Sequence, residues 1–436
     1  MSTSQKNSIY FAIVALLLLG TGIFQSWNSA LLILNMGLIS AIMAVGVNLQ
    51  WGFAGLFNVG IMGFVAVGGL AVVLVSASPV ADAWTQGGPR VLLALVFAVA
   101  VVVAAVLTHN RMQPGLVRKL VVAAIAVAGF FIFRSIYDPA VVAIEAVNPA
   151  ATGYLGGLGL PVLLSWPVGA LLAAGVAWFI GKVTLGLRSD YLAIATLGIA
   201  EILIAIMKNE DWLSRGVKNV AGLPRPGMVG YEAELQANPR FAETATSLGM
   251  DPVVASTLYV KLAYSVLFLI VLIILFALAQ GALKSPWGRM MRAIRDNEDA
   301  ARAMGKDITK RHLQIFILGS AVCGLAGAMM TTLDGQLTPG TYQPLRFTFL
   351  IWVMVIVGGS GSNLGAILGG IVIWFFWVQV EPIGAGLMHV LTSWMPDGSI
   401  VKEHLLDGIA HMRLFTMGLI LVLVLRFSPR GLIPER

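Results

Sequence analysis

The residue types that usually do chemistry are sparse in this sequence and are not grouped as a catalytic centre. There is no GxxxxGK(S/T) phosphate loop, no HExxH and no GxSxG. The five histidines lack the spacing of a metal site, and the single cysteine, Cys323, excludes an intrachain disulfide and a CxxC metal site. We therefore expect a chain that is no enzyme and binds no metal or cofactor.

One acidic side chain, Glu201, lies inside an apolar segment at 190–207. It follows Asp190 and Tyr191 by about three helical turns, which places it well inside a predicted membrane span. Carboxylates at that depth are rare and are usually paired or functional. Two interpretations stay open. Glu201 either makes a structural hydrogen bond or helix-end contact near Lys208, or it faces a wet cavity and meets a substrate ammonium group.

Two glycine-rich stretches carry polar neighbours. Their glycines are Gly52, Gly55, Gly60, Gly63, Gly68 and Gly69 in the first stretch, and Gly358, Gly359, Gly361, Gly365, Gly369 and Gly370 in the second. Close helix packing explains most glycines of this kind. The alternative is a pair of broken helices beside a substrate path. The candidate path residues, besides Glu201, are Asn48, Asn58, Gly358, Gly359 and Ser360.

The loop 284–311 has eight basic and four acidic residues. Its apolar residues recur every three to four positions, which predicts a helix with one apolar stripe and one basic face. These residues are Trp287, Met290, Met291, Ile294, Ala301 and Met304. Two uses are open for such a helix. It either docks in a groove of a partner protein or lies on anionic lipid.

The elements that carry these residues must be membrane helices. The sequence is 58% hydrophobic and 11% charged, with a mean hydropathy of +0.88, whereas soluble domains have about 25% charged residues. This composition predicts an all-α fold, a single polytopic transmembrane bundle over residues 1–436. The net charge of +7 fits an excess of Lys and Arg in cytoplasmic loops better than nucleic-acid binding.

A membrane span needs about 20 apolar residues, and the sequence offers ten clear segments and one divided region. The predicted segments are 8–26, 29–49, 58–76, 90–107, 117–133, 161–183, 190–207, 259–281, 313–333 and 413–426. The region 347–377 is read as two shorter pieces around Gly358–Asn363. If these pieces form a re-entrant pair there are ten spans, and if each crosses there are twelve.

Basic residues in the loops predict the orientation. They place 284–311, 111–119, 182–188 and the C-terminal tail, with Arg426, Arg430 and Arg436, in the cytoplasm. The acidic loops 135–160 and 378–412 then lie outside, and both termini are cytoplasmic. The longest external segment, 208–258, is either an ordered periplasmic cap on which a partner docks or only a link between spans.

Several motifs in order resemble a known family. Asp299-Ala300-Ala301-x-x-x-Gly305 is similar to the EAA-x-x-x-G coupling motif of ABC importer permeases, with Asp in place of Glu. Further stretches resemble LivM-type branched-chain amino-acid permease subunits, and they are Ser285–Arg295, Leu187–Leu197, Val357–Gly365 and Phe427–Leu432. The resemblance covers about residues 30–436 and is weakest at 85–150 and 380–412.

The resemblance implies a permease subunit of an ATP-driven importer in a bacterial inner membrane. Its partners would be a second, LivH-like permease subunit, two cytoplasmic ATPase subunits that use the ATP, and a periplasmic binding protein. The implied coupling residues are Arg295, Glu298, Asp299, Ala300, Ala301 and Gly305. The substrates would be branched-chain or other small amino acids. Urea or short amides are an alternative, and an ion-coupled secondary carrier is a second class.

Overall fold

The computed structural model describes residues 3–396 and 399–435, and helices dominate this part of the chain. The α-helices, in chain order, are α1 (Thr3–Phe24), α2 (Trp27–Ala54), α3 (Ile61–Ser76), α4 (Ala81–Gln86), α5 (Gly88–Arg111), α6 (Leu116–Glu145), α7 (Ser165–Thr184), α8 (Ser189–Asn209), α9 (Asp211–Ser214), α10 (Glu232–Ala237), α11 (Pro239–Ser247), α12 (Pro252–Lys284), α13 (Pro286–Asp296), α14 (Glu298–Ala303), α15 (Ile308–Asp334), α16 (Pro344–Gly358), α17 (Asn363–Thr392), α18 (Ile400–Asp407) and α19 (Met412–Phe427). Two short strands, β1 (Val220–Ala221) and β2 (Gln336–Leu337), pair antiparallel. The predicted all-α fold is confirmed.

Nine helices within the described residues are long and apolar enough to cross a membrane. They are α1, α2, α5, α6, α7, α8, α12, α15 and α17. The pair α18–α19 passes the same test together and is bent by 67° between its two helices. Helices α3 and α16 are apolar but shorter, with 16 and 15 residues. The molecule is therefore a polytopic helical bundle, as its composition predicts.

Several predicted boundaries are wrong because polar residues do not end the helices. Helix α17 has 30 residues and is long enough to cross alone, so the second part of 347–377 is not the short piece that was predicted. Helix α6 likewise continues to Glu145, into the predicted loop 135–160. Ion pairs accompany both extensions. Arg413 lies 2.6 Å from Glu381, and Arg134 lies 2.8 Å from Asp138.

The core is built on α2, α3, α15 and α17, whose residues are buried along most of each helix. Glycine allows this close packing. A Cβ added at Gly68 of α3 would lie 1.8 Å from the Gly324 carbonyl oxygen of α15, so no larger residue fits. Backbone-to-backbone approach through small residues is a common way to pack membrane helices. The packing interpretation of the glycine-rich stretches therefore holds at this position.

Helices α5 and α6 form a hairpin at the side of the core. More than half of their apolar side chains are exposed and few are buried, as expected of a lipid-facing pair. The hairpin is fixed at one end by a second, smaller hydrophobic cluster that includes Val91, Ala140 and Trp212. In the same place Trp212 Nε1 donates to Tyr137 Oη at 2.6 Å and to Glu210 Oε2 at 2.7 Å. This hairpin is the region where the family resemblance is weakest.

The loops are sorted between the two ends of the bundle. At one end Arg295 of α13 donates to the Gly52 carbonyl oxygen of α2 and to Glu435 of the C-terminal tail. At the other end β1 pairs with β2, which joins segment 208–258 to the end of α15. These contacts place the loop 284–311 and the C-terminal tail together at one end, and segment 208–258 at the other. Arg436 lies outside the described residues. Which end faces the cytoplasm stays a prediction.

Candidate coupling surface and transport path

The loop 284–311 forms two helices, α13 and α14, and not the single helix that its apolar spacing predicts. The break is at Asn297, whose backbone is extended, with φ −157° and ψ 99°. Its side-chain oxygen accepts a hydrogen bond from Ala300 N at 2.9 Å and so caps the start of α14. Because the axis changes at Asn297, the expected continuous stripe is wrong, and Met304 is 78% exposed.

The apolar face of α13 packs on this chain's own core. Met291 and Ile294 are buried, and Trp287 and Met290 are partly buried against the same core. Ala301 of α14 is 9% exposed and belongs to the same hydrophobic cluster. This stripe therefore holds the two helices in place and is not free for a partner protein.

The free surface of α14 consists of the small and acidic residues of the motif. Asp299 has a 95% exposed side chain, and Ala300, Met304 and Gly305 are exposed. Glu298 is exposed as well and lies 2.9 Å from Arg302 of the same helix. Of the predicted coupling residues, Asp299, Ala300 and Gly305 thus form one accessible patch, which we call the α14 surface.

Arg295 points inward and ties α13 to the bundle. Its guanidinium donates to the Gly52 carbonyl oxygen, to Glu435 Oε2 at 2.7 Å and to Asp296 Oδ1 at 3.0 Å. Burial opposes the charge of Arg295, but the hydrogen bonds to Glu435 and Asp296 outweigh it and raise its pKa. Arg295 is therefore a constant positive charge that joins α13, the end of α2 and the C-terminal tail.

The C-terminal tail lies across the turn between α16 and α17. Leu432 N donates to the Val357 carbonyl oxygen, and Ile433 N donates to that of Gly358, each at 2.9 Å. Gly359 has φ +118°, and a Cβ there would lie 2.4 Å from the Ile433 carbonyl oxygen, so only glycine fits. The candidate path residues Gly358, Gly359 and Ser360 thus belong to this strapped turn at the coupling end.

We expect Arg295→Gln to weaken coupling without removing the protein from the membrane. The change removes the guanidinium that donates to both Glu435 and the Gly52 carbonyl oxygen. Loss of these hydrogen bonds destabilises this local contact by about 1–3 kcal/mol. ATPase activity of the assembled complex should persist while uptake per ATP falls several-fold. The matched control is Arg289→Gln, an exposed change on the same helix, and equal coupling in both variants would contradict a role for Arg295.

The helix is interrupted between α2 and α3, as the broken-helix interpretation of the first glycine-rich stretch predicts. Residues 55–60 are not helical, and side chains satisfy several of their backbone groups. Asn58 Oδ1 accepts from Gly60 N at 2.9 Å, and Trp352 Nε1 donates to the Asn58 carbonyl oxygen at 3.1 Å. Asn58 Nδ2 in turn donates to Gln50 Oε1 at 2.9 Å. Irregular backbone at membrane depth needs such partners.

Asn48 and Asn58 are buried braces and not groups on a cavity wall. Their exposed fractions are 0% and 1%. Asn48 Nδ2 donates to Asn363 Oδ1 at 3.0 Å, and Asn48 Oδ1 accepts from Gly361 N at 2.9 Å. Asn48 therefore links the end of α2 to the turn before α17. Sequence reasoning found both residues, but the structure places them beside the break and not in an open path.

An apolar cavity of about 100 Å³ lies between α2, α3, α15, α16 and α17. Its wall is rich in methionine, and the five methionines are Met36, Met43, Met62, Met330 and Met354. Ser40, Asp334 and Thr341 add polar atoms to the wall. Methionine is flexible and polarizable, so such a wall adapts to apolar groups of different shape. No sequence signal marks this cavity, because its residues come from separate helices.

A larger groove, of about 680 Å³, is lined by residues of α8, α16, α17 and α19. Glu201, Lys208 and Arg346 line it together with apolar residues that include Phe349 and Trp377. None of the three charged side chains has an opposite charge within 4.0 Å in residues 3–396 and 399–435. Glu201 thus lines this groove without an ion pair, together with Lys208. Both interpretations of Glu201 stay predictions.

Sequence reasoning missed Arg346, which lies near the start of α16. Its guanidinium stacks over Trp377 at 5.2 Å, and Arg413 stacks over the same ring at 5.1 Å. Such contacts orient an arginine without neutralising its charge. Leu350 lines both the groove and the methionine-rich cavity, so this side chain lies between the two spaces.

Comparison with known proteins identifies the family of this chain. The family model described as "Branched-chain amino acid transport system / permease component" matches residues 120–425. The chain belongs to this family. It is 27% identical over 295 residues to the high-affinity branched-chain amino acid transport system permease protein LivM of Escherichia coli, a match covering 67% of this chain and 61% of that protein. The LivM of Salmonella typhimurium is 26% identical over 295 residues, which again cover 67% of this chain and 61% of that protein.

A third relative is matched over a longer stretch of the chain. The probable branched-chain amino acid transport permease protein LivM of Methanocaldococcus jannaschii is 24% identical over 327 residues, which cover 74% of this chain and 81% of that protein. The two enterobacterial relatives are matched over only about three fifths of their own length, 61%. No solved structure matches the chain. The predicted resemblance to LivM-type permeases is confirmed, and the chain is a multi-pass membrane protein of this family.

Proposed function

We propose that this chain is the permease subunit of an ATP-driven importer of branched-chain or other small amino acids in a bacterial inner membrane. The single observation that carries the proposal is the α14 surface, a patch of small and acidic exposed residues on a helix that packs on this chain's own core. One of the two cytoplasmic ATPase subunits docks there, and the two ATPase subunits hydrolyse ATP. A second, LivH-like permease subunit completes the membrane part, and a periplasmic binding protein delivers the substrate.

The contacts of α13 support a route for the movement. A displacement of α14 also moves α13. Because Arg295 donates to the Gly52 carbonyl oxygen and to Glu435, the movement extends to the end of α2 and to the C-terminal tail. The tail in turn holds Gly358, where α16 ends. Helices α2 and α16 both line the methionine-rich cavity. Displacement of the coupling element therefore changes the shape of that cavity.

The groove between α8, α16 and α19 supports an amino acid as the substrate. A free amino acid carries an ammonium and a carboxylate group, and Glu201 and Arg346 offer the opposite charges. The apolar side chain then enters the methionine-rich cavity past Leu350, which lines both spaces. Urea is neutral and needs neither charge, so this groove favours amino acids.

Segment 208–258 supports the docking of a binding protein. It folds into α9, α10, α11 and strand β1, and β1 pairs with β2 directly after α15. Because α15 begins next to α14, the cap and the coupling element are joined by one continuous helix. A contact on the cap therefore has a rigid connection to the ATPase side.

Competition in an uptake assay tests the substrate class. The assembly, with its ATPase and second permease subunits, is placed in proteoliposomes with ATP inside, and labelled leucine is offered with the binding protein outside. Unlabelled leucine, isoleucine, valine and alanine should compete, whereas urea should not. Competition by urea with no effect of amino acids would overturn the assigned substrate class.

Cysteine labelling tests the orientation separately. Ala233→Cys and Ser399→Cys, made in a chain without Cys323, should react with an impermeant thiol reagent added to intact spheroplasts. Ala303→Cys and Gly115→Cys should react only after the membrane is opened. The measurement compares labelling before and after permeabilisation. Outside labelling of Ala303→Cys would reverse the bundle and remove α14 from the reach of any cytoplasmic ATPase.

A further inference from the structure

One side of α8 carries a row of exposed residues, of which the proposed substrate contacts use only Glu201. The row follows helical spacing and consists of Ile194, Gly198, Glu201, Ile202 and Ala205, all of them exposed. The opposite side of α8 is buried against α3 and α7 of this chain's own bundle. The row, which we call the α8 stripe, therefore faces out of the bundle.

Glu201 lies at a depth where lipid would surround it. Helix α8 has 21 residues, so at about 1.5 Å per residue it spans about 30 Å, the thickness of the hydrocarbon core. Glu201 is about 12 Å from the Asn209 end of the helix and about 18 Å from the Ser189 end. Its carboxylate has no ion pair within residues 3–396 and 399–435. Because an exposed charge at this depth is costly in lipid, the α8 stripe is a poor lipid-facing surface.

The groove beside the stripe adds two more charges. Lys208, near the end of α8, and Arg346, near the start of α16, line it together with Glu201. Exposed apolar side chains, which include Leu345 and Leu414, lie along the same groove. Charges within a membrane almost always face a bundle interior or a water-filled cavity. An open groove on the outside of the bundle becomes such a space only when a further membrane helix covers it.

Small residues in the stripe leave room for a covering helix. Gly198 and Ala205 lie about one turn before and one turn after Glu201. A Cβ added at Gly198 would meet no atom of the described residues within 4 Å, so packing inside this bundle does not require glycine there. Glycine and alanine on a membrane helix allow a second helix to approach closely. The stripe therefore suits a helix of another membrane-spanning chain.

We propose that the α8 stripe is the surface on which the second permease subunit packs. This assignment rests on the proposed function, which supplies a second membrane-spanning subunit. A helix of that subunit covers Gly198 and Ala205 and excludes lipid from Glu201. The groove of about 680 Å³ then becomes a space enclosed by both chains. Glu201 keeps its place on the wall of that space, where a substrate can still reach it.

Photo-crosslinking in the complete assembly tests which molecule covers the stripe. A photoreactive diazirine amino acid replaces Ile202, which lies next to Glu201, or Phe131, an exposed residue of the hairpin α5–α6. After illumination in proteoliposomes, mass spectrometry identifies the attached molecule. We expect the second permease subunit at position 202 and lipid at position 131. Attachment of lipid, or of a second copy of this chain, at position 202 would overturn the proposal.

Gly198→Trp tests whether the stripe is needed for assembly. Its matched control is Gly175→Trp on α7, because a Cβ at either glycine meets no atom of the described residues within 4 Å. Gly198→Trp should lower the amount of second permease subunit that co-purifies about tenfold or more, and Gly175→Trp should leave it unchanged. Equal co-purification with both variants would contradict the proposal.

The wild-type assembly separates this inference from the proposed function. If no second permease subunit co-purifies with the wild-type chain, the proposed function fails and the surface assignment fails with it. If the subunit co-purifies but position 202 attaches to lipid, the surface assignment alone fails. Should Gly198→Trp not reach the membrane, the cross-link at position 202 decides, because it is made in a chain that keeps Gly198.

Discussion

A chain with Ala300→Arg should fold and reach the membrane but lose its ATPase subunits and its uptake. Ala300 is exposed on α14 beside Asp299, so the new side chain meets no atom of its own bundle and costs little stability. In a groove shaped for small residues, a long charged side chain costs about 3 kcal/mol or more of docking energy, which is roughly a 100-fold loss of affinity. Co-purification of the ATPase and uptake by proteoliposomes measure both effects.

Two further variants make this result specific. Ala233→Arg places the same side chain on an exposed position of α10 at the other end of the bundle, and it should leave ATPase co-purification unchanged. Ala301→Arg is less informative, because Ala301 is packed against the core and its replacement would disturb the fold. Normal co-purification and uptake with Ala300→Arg would show that α14 does not dock, and would restore the alternative of a helix lying on lipid.

The second large effect is expected in the groove. Glu201→Gln and Arg346→Gln each keep a hydrogen-bonding side chain but remove one charge that an amino acid would meet. Losing one partner of a desolvated charge pair costs about 2–5 kcal/mol, so uptake of leucine should fall by roughly 30-fold to 5000-fold. Assembly and basal ATPase activity should not change, since neither charge has an ion-pair partner within the described residues.

Asp138→Asn is the matched control for these two variants. Asp138 is an exposed acid on α6, far from the groove, and it pairs only with Arg134 among described residues. Its uptake should remain at the wild-type level. Loss of assembly in Glu201→Gln would mean that the carboxylate is structural. Full uptake in both charge variants would remove the groove from the transport path.

Much of the fold follows from the sequence because hydrocarbon imposes a simple rule. Segments of about 20 apolar residues must be helices, and eight of the nine long helices occur where such segments were predicted, α17 being the exception. The errors lie at helix ends. Polar residues such as Glu381 and Asp138 look like loop residues, but each is paired with an arginine, so the helix continues through them. A pairing partner on another helix, such as Arg413, is invisible in a local pattern.

The candidate site was found only in part. The motif at 299–305 was recognised from its residues, but the apolar stripe beside it was expected to face either a partner protein or anionic lipid, whereas it faces this chain's own core. Periodicity shows that a face is apolar and does not say what covers it. Asn48 and Asn58 were selected as polar residues near glycines, yet they brace the broken helix.

Residues from distant parts of the chain could not be grouped in advance. Arg346, Glu201 and Trp377 come from three helices and meet only in the folded bundle. The same holds for the methionines of the apolar cavity, which are spread from Met36 to Met354. Each is an ordinary residue in its own helix, so neither spacing nor composition distinguishes it. Tertiary packing creates both spaces.

The source of energy is the most direct test of the account. Proteoliposomes that hold the complete assembly receive labelled leucine and binding protein outside, with every ion gradient collapsed by ionophores. Uptake should begin when ATP is present inside and should be absent with a non-hydrolysable analogue. Uptake that proceeds without ATP and follows an imposed proton or sodium gradient would contradict an ATP-driven permease and identify an ion-coupled carrier.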